Sequence, residues 1–262
     1  MRIAEIFRSI QGEGLHVGVP SVFLRVVGCN LTCPGFGLPY GERAEKVTEV
    51  PITEFMELSV PKAGCDSQPA WNSAYKRLWT DYTPEELAKT LNGLAKPGDH
   101  LVITGGEPLL KGSQKHLAEV LPYLDYTKFT GITFETNGTQ TVADYLIPLV
   151  RVPVTFSVSP KLSNSGEPWK RAIVPDAIES MARFHLVLKY VIREERQLAE
   201  VILSLAEYDI DPTRTPVYLM PEGAVSDQLG QTACEVAQLA LDNGFRYSPR
   251  LHVDLFGNTF GT

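Results

Sequence analysis

Cys29 and Cys33 stand with three residues between them in Phe23-Leu-Arg-Val-Val-Gly-Cys-Asn-Leu-Thr-Cys33, just after a β-branched and aromatic run that ends at Gly28. Thiolates on a loop at a strand end can hold a soft metal on backbone that a sheet already fixes. Such a pair needs company, because an iron–sulfur cluster takes three or four thiolates and a structural zinc takes four ligands. Of the two remaining cysteines, Cys65 lies in Gly64-Cys65-Asp66-Ser67, while Cys234 sits among apolar residues at helical spacing and reads as a helix-core thiol. Three ligands leave a closed zinc site one short, whereas a four-iron cluster on three cysteines keeps one iron free for another molecule. The plain alternative is that Cys29 and Cys33 are reduced, partly buried thiols.

Other polar residues fall in short motifs. Gln11-Gly12-Glu13-Gly14 frames a carboxylate with two glycines, which admit a ligand close to the backbone but would equally suit a surface turn. Arg25 lies inside an apolar run, where a guanidinium must be paired or face a polar cavity. It reads either as a fork toward a carboxylate ligand or as half of a structural salt bridge. Thr104-Gly105-Gly106-Glu107-Pro108, Glu135-Thr136-Asn137-Gly138-Thr139 and Ser157-Val158-Ser159-Pro160-Lys161 each follow a strand-like segment.

The elements that must position these motifs are legible from periodicity. Strands are expected at about 1–7 and 20–27, followed by an aperiodic, turn-rich stretch at 34–64 that holds at most a short hairpin or helix, and a polar stretch to residue 81. Thr83-Pro84-Glu85-Glu86 carries an N-cap, a first-turn proline and an acid at the third position, so a helix should run to about 94. Strands near 100–104, 131–135, 153–157, 185–192, 216–219 and 247–255 then alternate with helices near 113–124, 142–149, 176–182, 194–207 and 227–242. That alternation predicts βαβ units in an α/β fold, a partial (β/α)6-type barrel with a curved, mostly parallel sheet and outer helices. Residues 1–262 would form a single domain, with an insertion at about 34–64 between the second and third cysteines. All the polar motifs would then share the carboxyl rim, where parallel barrels place their ligand sites.

A net charge of −7 argues against a broad electrostatic footprint for nucleic acid or an anionic membrane, so neither partner is expected. No run of 18 apolar residues and no charged-then-apolar leader is present, and the expected location is cytoplasmic. In that compartment cysteines point to metal or redox chemistry more than to disulfides.

Taken in order, Ser9-Ile-Gln-Gly-Glu-Gly14, the Cys29–Cys33 run, Cys65-Asp-Ser-x-x-Ala-Trp71, the Gly-Gly-Glu-Pro and Glu-Thr-Asn-Gly-Thr motifs and Val158-Ser-Pro-Lys161 resemble the radical S-adenosylmethionine superfamily. Within it they resemble the 7-carboxy-7-deazaguanine synthase family, over about residues 3–192 and again at Pro249-Arg250-Leu251-His252. The resemblance implies a [4Fe–4S] cluster on Cys29, Cys33 and Cys65, its fourth iron chelated by S-adenosylmethionine. It implies that Gly105, Gly106 and Glu107 hold the methionine amino group, with Thr136, Asn137, Ser159 and Lys161 nearby on the cofactor, and that Ser67 binds Mg²⁺. Gln11 and Glu13, between Gly12 and Gly14, would bind the pterin substrate, Arg25 its carboxylate, and Arg250 and His252 would line the same pocket. The implied reaction is a lyase step: 6-carboxy-5,6,7,8-tetrahydropterin loses a hydrogen atom, contracts its ring and releases ammonia, giving 7-carboxy-7-deazaguanine for 7-deazapurine (queuosine) biosynthesis. The implied partners are a reducing electron-donor protein and a second copy of the chain in a homodimer.

Two departures stand out against the family pattern. There are 31 residues between Cys33 and Cys65 where the family has two, and Ser67 replaces the usual threonine. Loop-closure entropy grows only logarithmically with length, and serine keeps an oxygen for a hard cation. Two rival readings stay open: a radical activase acting on a partner protein, and a zinc-stabilised binding module that adds one of His16, His100, His116, His185 or His252 to the three cysteines.

Overall fold

The computed structural model describes residues 1–52, 54–257 and 259–262. Strand β1 (Arg2–Ile10) turns back antiparallel onto β2 (Pro20–Val26), with Ile10 opposite Pro20. From β2 the sheet runs parallel through β4 (Asp99–Gly105), β5 (Phe129–Thr136), β6 (Val154–Val158), β7 (His185–Ile192), β8 (Val217–Pro221) and β9 (Arg246–Tyr247). A two-residue strand, β3 (Thr80–Asp81), pairs with the outer edge of β1 and completes the order β3-β1-β2-β4-β5-β6-β7-β8-β9. Helices α1 (Pro84–Leu94), α2 (Lys111–Val120), α3 (Trp169–Ala172), α4 (Pro175–Ala182), α5 (Glu195–Glu207), α6 (Ser226–Asp242) and α7 (Leu251–Phe256) complete the chain. The fold is the expected α/β arrangement. Among the described residues no helix is long and apolar enough to cross a membrane.

Strand periodicity decides what faces the site. Val22, Leu24 and Val26, Leu101 and Ile103, Ile132 and Phe134, and Leu188, Tyr190 and Ile192 share one core with helix residues such as Leu87, Leu117, Ile178 and Val201. The alternate positions therefore point the other way, and these are Arg25, Thr104, Glu135, Ser157 and Lys189. The sheet also curls. Lys189 in β7 pairs with Glu13, just past β1. Five strand spacings of about 4.8 Å would hold β1 and β7 roughly 24 Å apart in a flat sheet. The open side is closed by residues 248–252, where Leu251 N donates to the Gly12 carbonyl at 2.9 Å and Gly14 N donates to Ser248 Oγ at 2.8 Å.

Several elements differ from the sequence expectation for identifiable reasons. The stretch 142–149 forms a 3-10 turn at Ile147–Leu149 and no α-helix, because Pro148 lacks the amide that a continuing helix needs. Past Pro249 the expected terminal strand becomes α7, leaving only Arg246–Tyr247 in the sheet. The polar stretch before residue 81 contains a 3-10 helix, Ser73–Leu78, and β3. Cys234 lies on α6 as expected but is exposed.

Within 34–64 the described residues show one 3-10 turn, Phe55–Glu57, and no hairpin. The segment carries its own small core instead. Val50 and Leu58 pack with Tyr75 and Phe260, and the Phe55 and Phe260 rings meet edge to face at 5.1 Å. Burying a side chain such as Phe260 is worth about 1.5–3 kcal/mol, so this cluster ties the segment to the C-terminal stretch.

Candidate active site

Cys29, Cys33 and Cys65 line one cavity at the carboxyl rim. Gly28 N donates to the Ala70 carbonyl at 2.8 Å, which draws the Cys65 turn onto the end of β2 despite the long intervening segment. Leu31 N donates to Cys29 Sγ at 3.4 Å and Trp71 Nε1 to Cys65 Sγ at 3.5 Å, so two sulfurs already receive N–H groups. Burial, with Asp66 beside it, pushes the Cys65 thiol up to about 12. Burial and the neighbouring Cys65 push Cys33 up as well, and burial raises Cys29. Thiols this reluctant to ionise become ligands only when a metal replaces the proton. Among the described residues no group of three His, Cys, Asp or Glu side chains is arranged to hold a single metal ion. Three thiols around a shared cavity, with Cys234 not among its lining residues, suit a multi-iron cluster bound at separate corners.

The other rim motifs are pressed against this loop. A Cβ on Gly106 would lie 2.1 Å from the Gly28 carbonyl oxygen, so only glycine permits the approach. Gly105, Gly106, Thr136, Asn137, Ser159 and Lys161 line the cavity, and Lys161 Nζ donates to Ser159 Oγ at 2.9 Å. Glu107 departs from expectation. Its side chain is fully buried and accepts bonds from Thr136 Oγ1 at 2.7 Å, Asn137 N at 2.8 Å and Leu109 N at 2.9 Å. It joins two strand ends and is not among the residues that line the cavity.

Below the rim lies a buried charged network. Glu13 pairs with Lys189 and, at 2.9 Å, with Arg250 Nε, while His252 Nε2 stands 3.9 Å away. Burial pushes the Glu13 carboxyl up, but Lys189, Arg250 and His252 together pull it well below the usual carboxylate range. Lys189 loses charge preference to burial and more than regains it from Glu13 and Glu135, the latter 3.9 Å away, so the ammonium persists. Gln11 Nε2 donates to Glu135 Oε1 at 3.0 Å. Arg250 also binds Asp66 Oδ2 at 3.0 Å, and despite desolvation this holds Asp66 below its ordinary value. Arg25 forms the salt bridge of one of its readings, with Nε pairing Glu5 at 3.0 Å, while NH1 reaches Ser67 Oγ at 3.5 Å on the cavity wall. Gly12 faces the cavity, whereas Gly14 is not among its lining residues and serves through its backbone bond to Ser248.

No family model matches the chain. It is 32% identical to the 7-carboxy-7-deazaguanine synthase of Halobacterium salinarum, over 98% of this chain and 90% of that protein. It is 31% identical to the enzyme of the same name from Hyperthermus butylicus, over 97% of this chain and 92% of that one. The chain belongs to the 7-carboxy-7-deazaguanine synthase family. The crystal structure of QueE from Escherichia coli shares its fold, with a TM-score of 0.60 over 96% of this chain and 94% of that one at 23% identity.

In this member of the synthase family the structure brings together all the expected residues except Glu107 and Gly14, and adds Glu5, Asp66, Glu135 and Lys189. Lys189 had a signal. It interrupts the apolar strand His185–Ile192 as Arg25 interrupts its own, and the same desolvation argument applies. Asp66 and Glu135 stood inside motifs already singled out without a role of their own, and Glu5 had no local signal.

Proposed function

We propose that this enzyme converts 6-carboxy-5,6,7,8-tetrahydropterin to 7-carboxy-7-deazaguanine, with S-adenosylmethionine at the open iron of a [4Fe–4S] cluster on Cys29, Cys33 and Cys65. The observation that carries this reading is one cavity lined by three thiols at its rim and by Arg25, Glu13, Lys189 and Arg250 at its floor. When bound, the cluster and S-adenosylmethionine supply one-electron reduction and abstraction of a hydrogen atom from the substrate. The chain's own residues bind, orient and exclude water. Gly105, Gly106, Asn137, Ser159 and Lys161 receive the cofactor, and the outer edge of Arg25 takes the substrate carboxylate. Glu13, kept ionised by two cations, accepts hydrogen bonds from ring N–H groups. Lys189, kept protonated between Glu13 and Glu135, stands ready to give a proton to the departing amine. Phe7 and Phe23, stacked at 4.8 Å, form an apolar wall against a planar ring.

Mg²⁺ finds one hydroxyl, Ser67, with Asp66 already bound by Arg250, so its remaining ligands must come from substrate and water. The reading takes residues 1–262 as one cytoplasmic domain with an insertion at 34–64, working as a homodimer with a reducing donor protein. Anaerobic reconstitution tests it. Brown protein with about four iron and four sulfide per chain, and a product of the mass of 7-carboxy-7-deazaguanine from the pterin, are expected. Colourless protein that takes up zinc and turns over no pterin would overturn it.

A further inference from the structure

The second cysteine is held in an unusual way. Cys33 has φ 44, and among the described non-glycine residues only Asp209 shares a positive φ. That left-handed conformation is unfavourable for a side chain with a Cβ and persists only where surrounding groups enforce it. The enforcing group is Glu167. Its Oε1 accepts Thr32 N at 2.6 Å, Cys33 N at 2.8 Å and the Thr32 hydroxyl at 3.1 Å. Its Oε2 faces Arg171 NH1 at 3.6 Å, and Arg171 also donates to the Asn30 carbonyl. The Glu167 side chain is 2% exposed.

We infer that Glu167 is a positioning residue for the cluster: it sets the orientation of Cys33 and keeps a fixed negative charge behind the cysteine loop. The inference rests on the functional reading above. Two effects follow from one carboxylate. The Thr32 and Cys33 amides are occupied by an oxygen, so they are withheld from cluster sulfur. A buried anion next to the loop also disfavours an added electron. Both lower the reduction potential, since net charge and hydrogen bonds to sulfur are what set it.

The test is anaerobic reconstitution of wild type, Glu167→Gln, Glu167→Ala and Glu222→Gln, with iron and sulfide counts, EPR spectra and midpoint potentials. Glu222 is the control because its buried carboxylate accepts Gly37 N and Asn164 Nδ2 and does not touch the cysteine loop. Glu167→Gln should keep its iron but show a more positive midpoint, Glu167→Ala should lose about a quarter of its iron and gain the signal of a cluster lacking one iron, and Glu222→Gln should match wild type. Wild-type iron content and midpoint in both Glu167 variants would overturn the inference. So would an equal shift in Glu222→Gln. Should Glu167→Ala fail to fold, the Glu167→Gln midpoint decides alone. Wild-type chain that takes up no iron would overturn the functional reading, and this inference with it.

Discussion

Replacing Lys189 by Met tests whether the charged floor of the cavity is a coupled unit. The side chain is 6% exposed and its ammonium serves Glu13 and Glu135 together. Removing one partner of a buried ion pair costs about 3–5 kcal/mol, because the other charge is left unpaired in low dielectric. Glu13 would keep Arg250 at 2.9 Å, which places the loss at the lower end. A loss of about 3 kcal/mol should lower the melting temperature by roughly 6–12 °C in a chain of this size. The assay is thermal unfolding of the metal-free protein followed by circular dichroism. Glu13→Gln combined with Lys189→Met should cost less than the sum of the two single variants, because each single variant strands a charge that the double variant removes. A Lys189→Met melt unchanged from wild type, or a double variant that simply adds two penalties, would refute the reasoning.

Four further outcomes are expected. His100, whose ring lies tilted against His16 at 4.4 Å, is held by burial and by His16 down to about 4 from its ordinary 6.5. Between those pH values the unfolded chain binds the proton and the folded chain does not, so stability is full above 6.5 and falls on acidification. At pH 5 this amounts to about 2 kcal/mol, and urea midpoints at pH 7 and 5 should show His100→Gln losing less than wild type. Cys65→Ala should abolish cluster binding and activity, and full iron content would contradict its assignment as a ligand. Arg25→Ala should raise the KM for the pterin about tenfold or more while changing that for S-adenosylmethionine little, as loss of a charge-assisted contact predicts; equal effects on both would dismiss the carboxylate role. Phe260→Ala should cost about 3 kcal/mol of local stability and speed proteolysis within 42–57, and an unchanged digestion rate would show that the small core does not anchor that segment.

What the sequence discloses divides along a physical line. Strand alternation and local capping are short-range, so the parallel sheet was legible, as was the Thr83–Glu86 capping box at the start of α1. Residues 142–149 and 247–255 failed because a proline overrode a suggestive period in each. Cys234 showed helical spacing, but spacing cannot say which face of a helix is covered, and here it is exposed. The site splits in the same way. Cysteines, paired glycines and a charge inside an apolar strand announce themselves by type. Glu107 carried the right motif, and its carboxylate also ties Thr136 to Asn137, a use that motif reading does not reveal. Glu167 and Glu222 act on residues 134 and 185 positions away, and nothing local marks them.

The bond from Arg250 to Glu13 spans 237 positions. During synthesis the three sulfurs leave the ribosome early, yet the chamber beneath them has a missing flank until residue 252 has emerged. Contacts of such separation also form slowly, because the loop must close before they reward it. Metal offered to a growing chain would therefore meet thiols without their shelter. The cavity is thus complete only when the first and last parts of the chain have met.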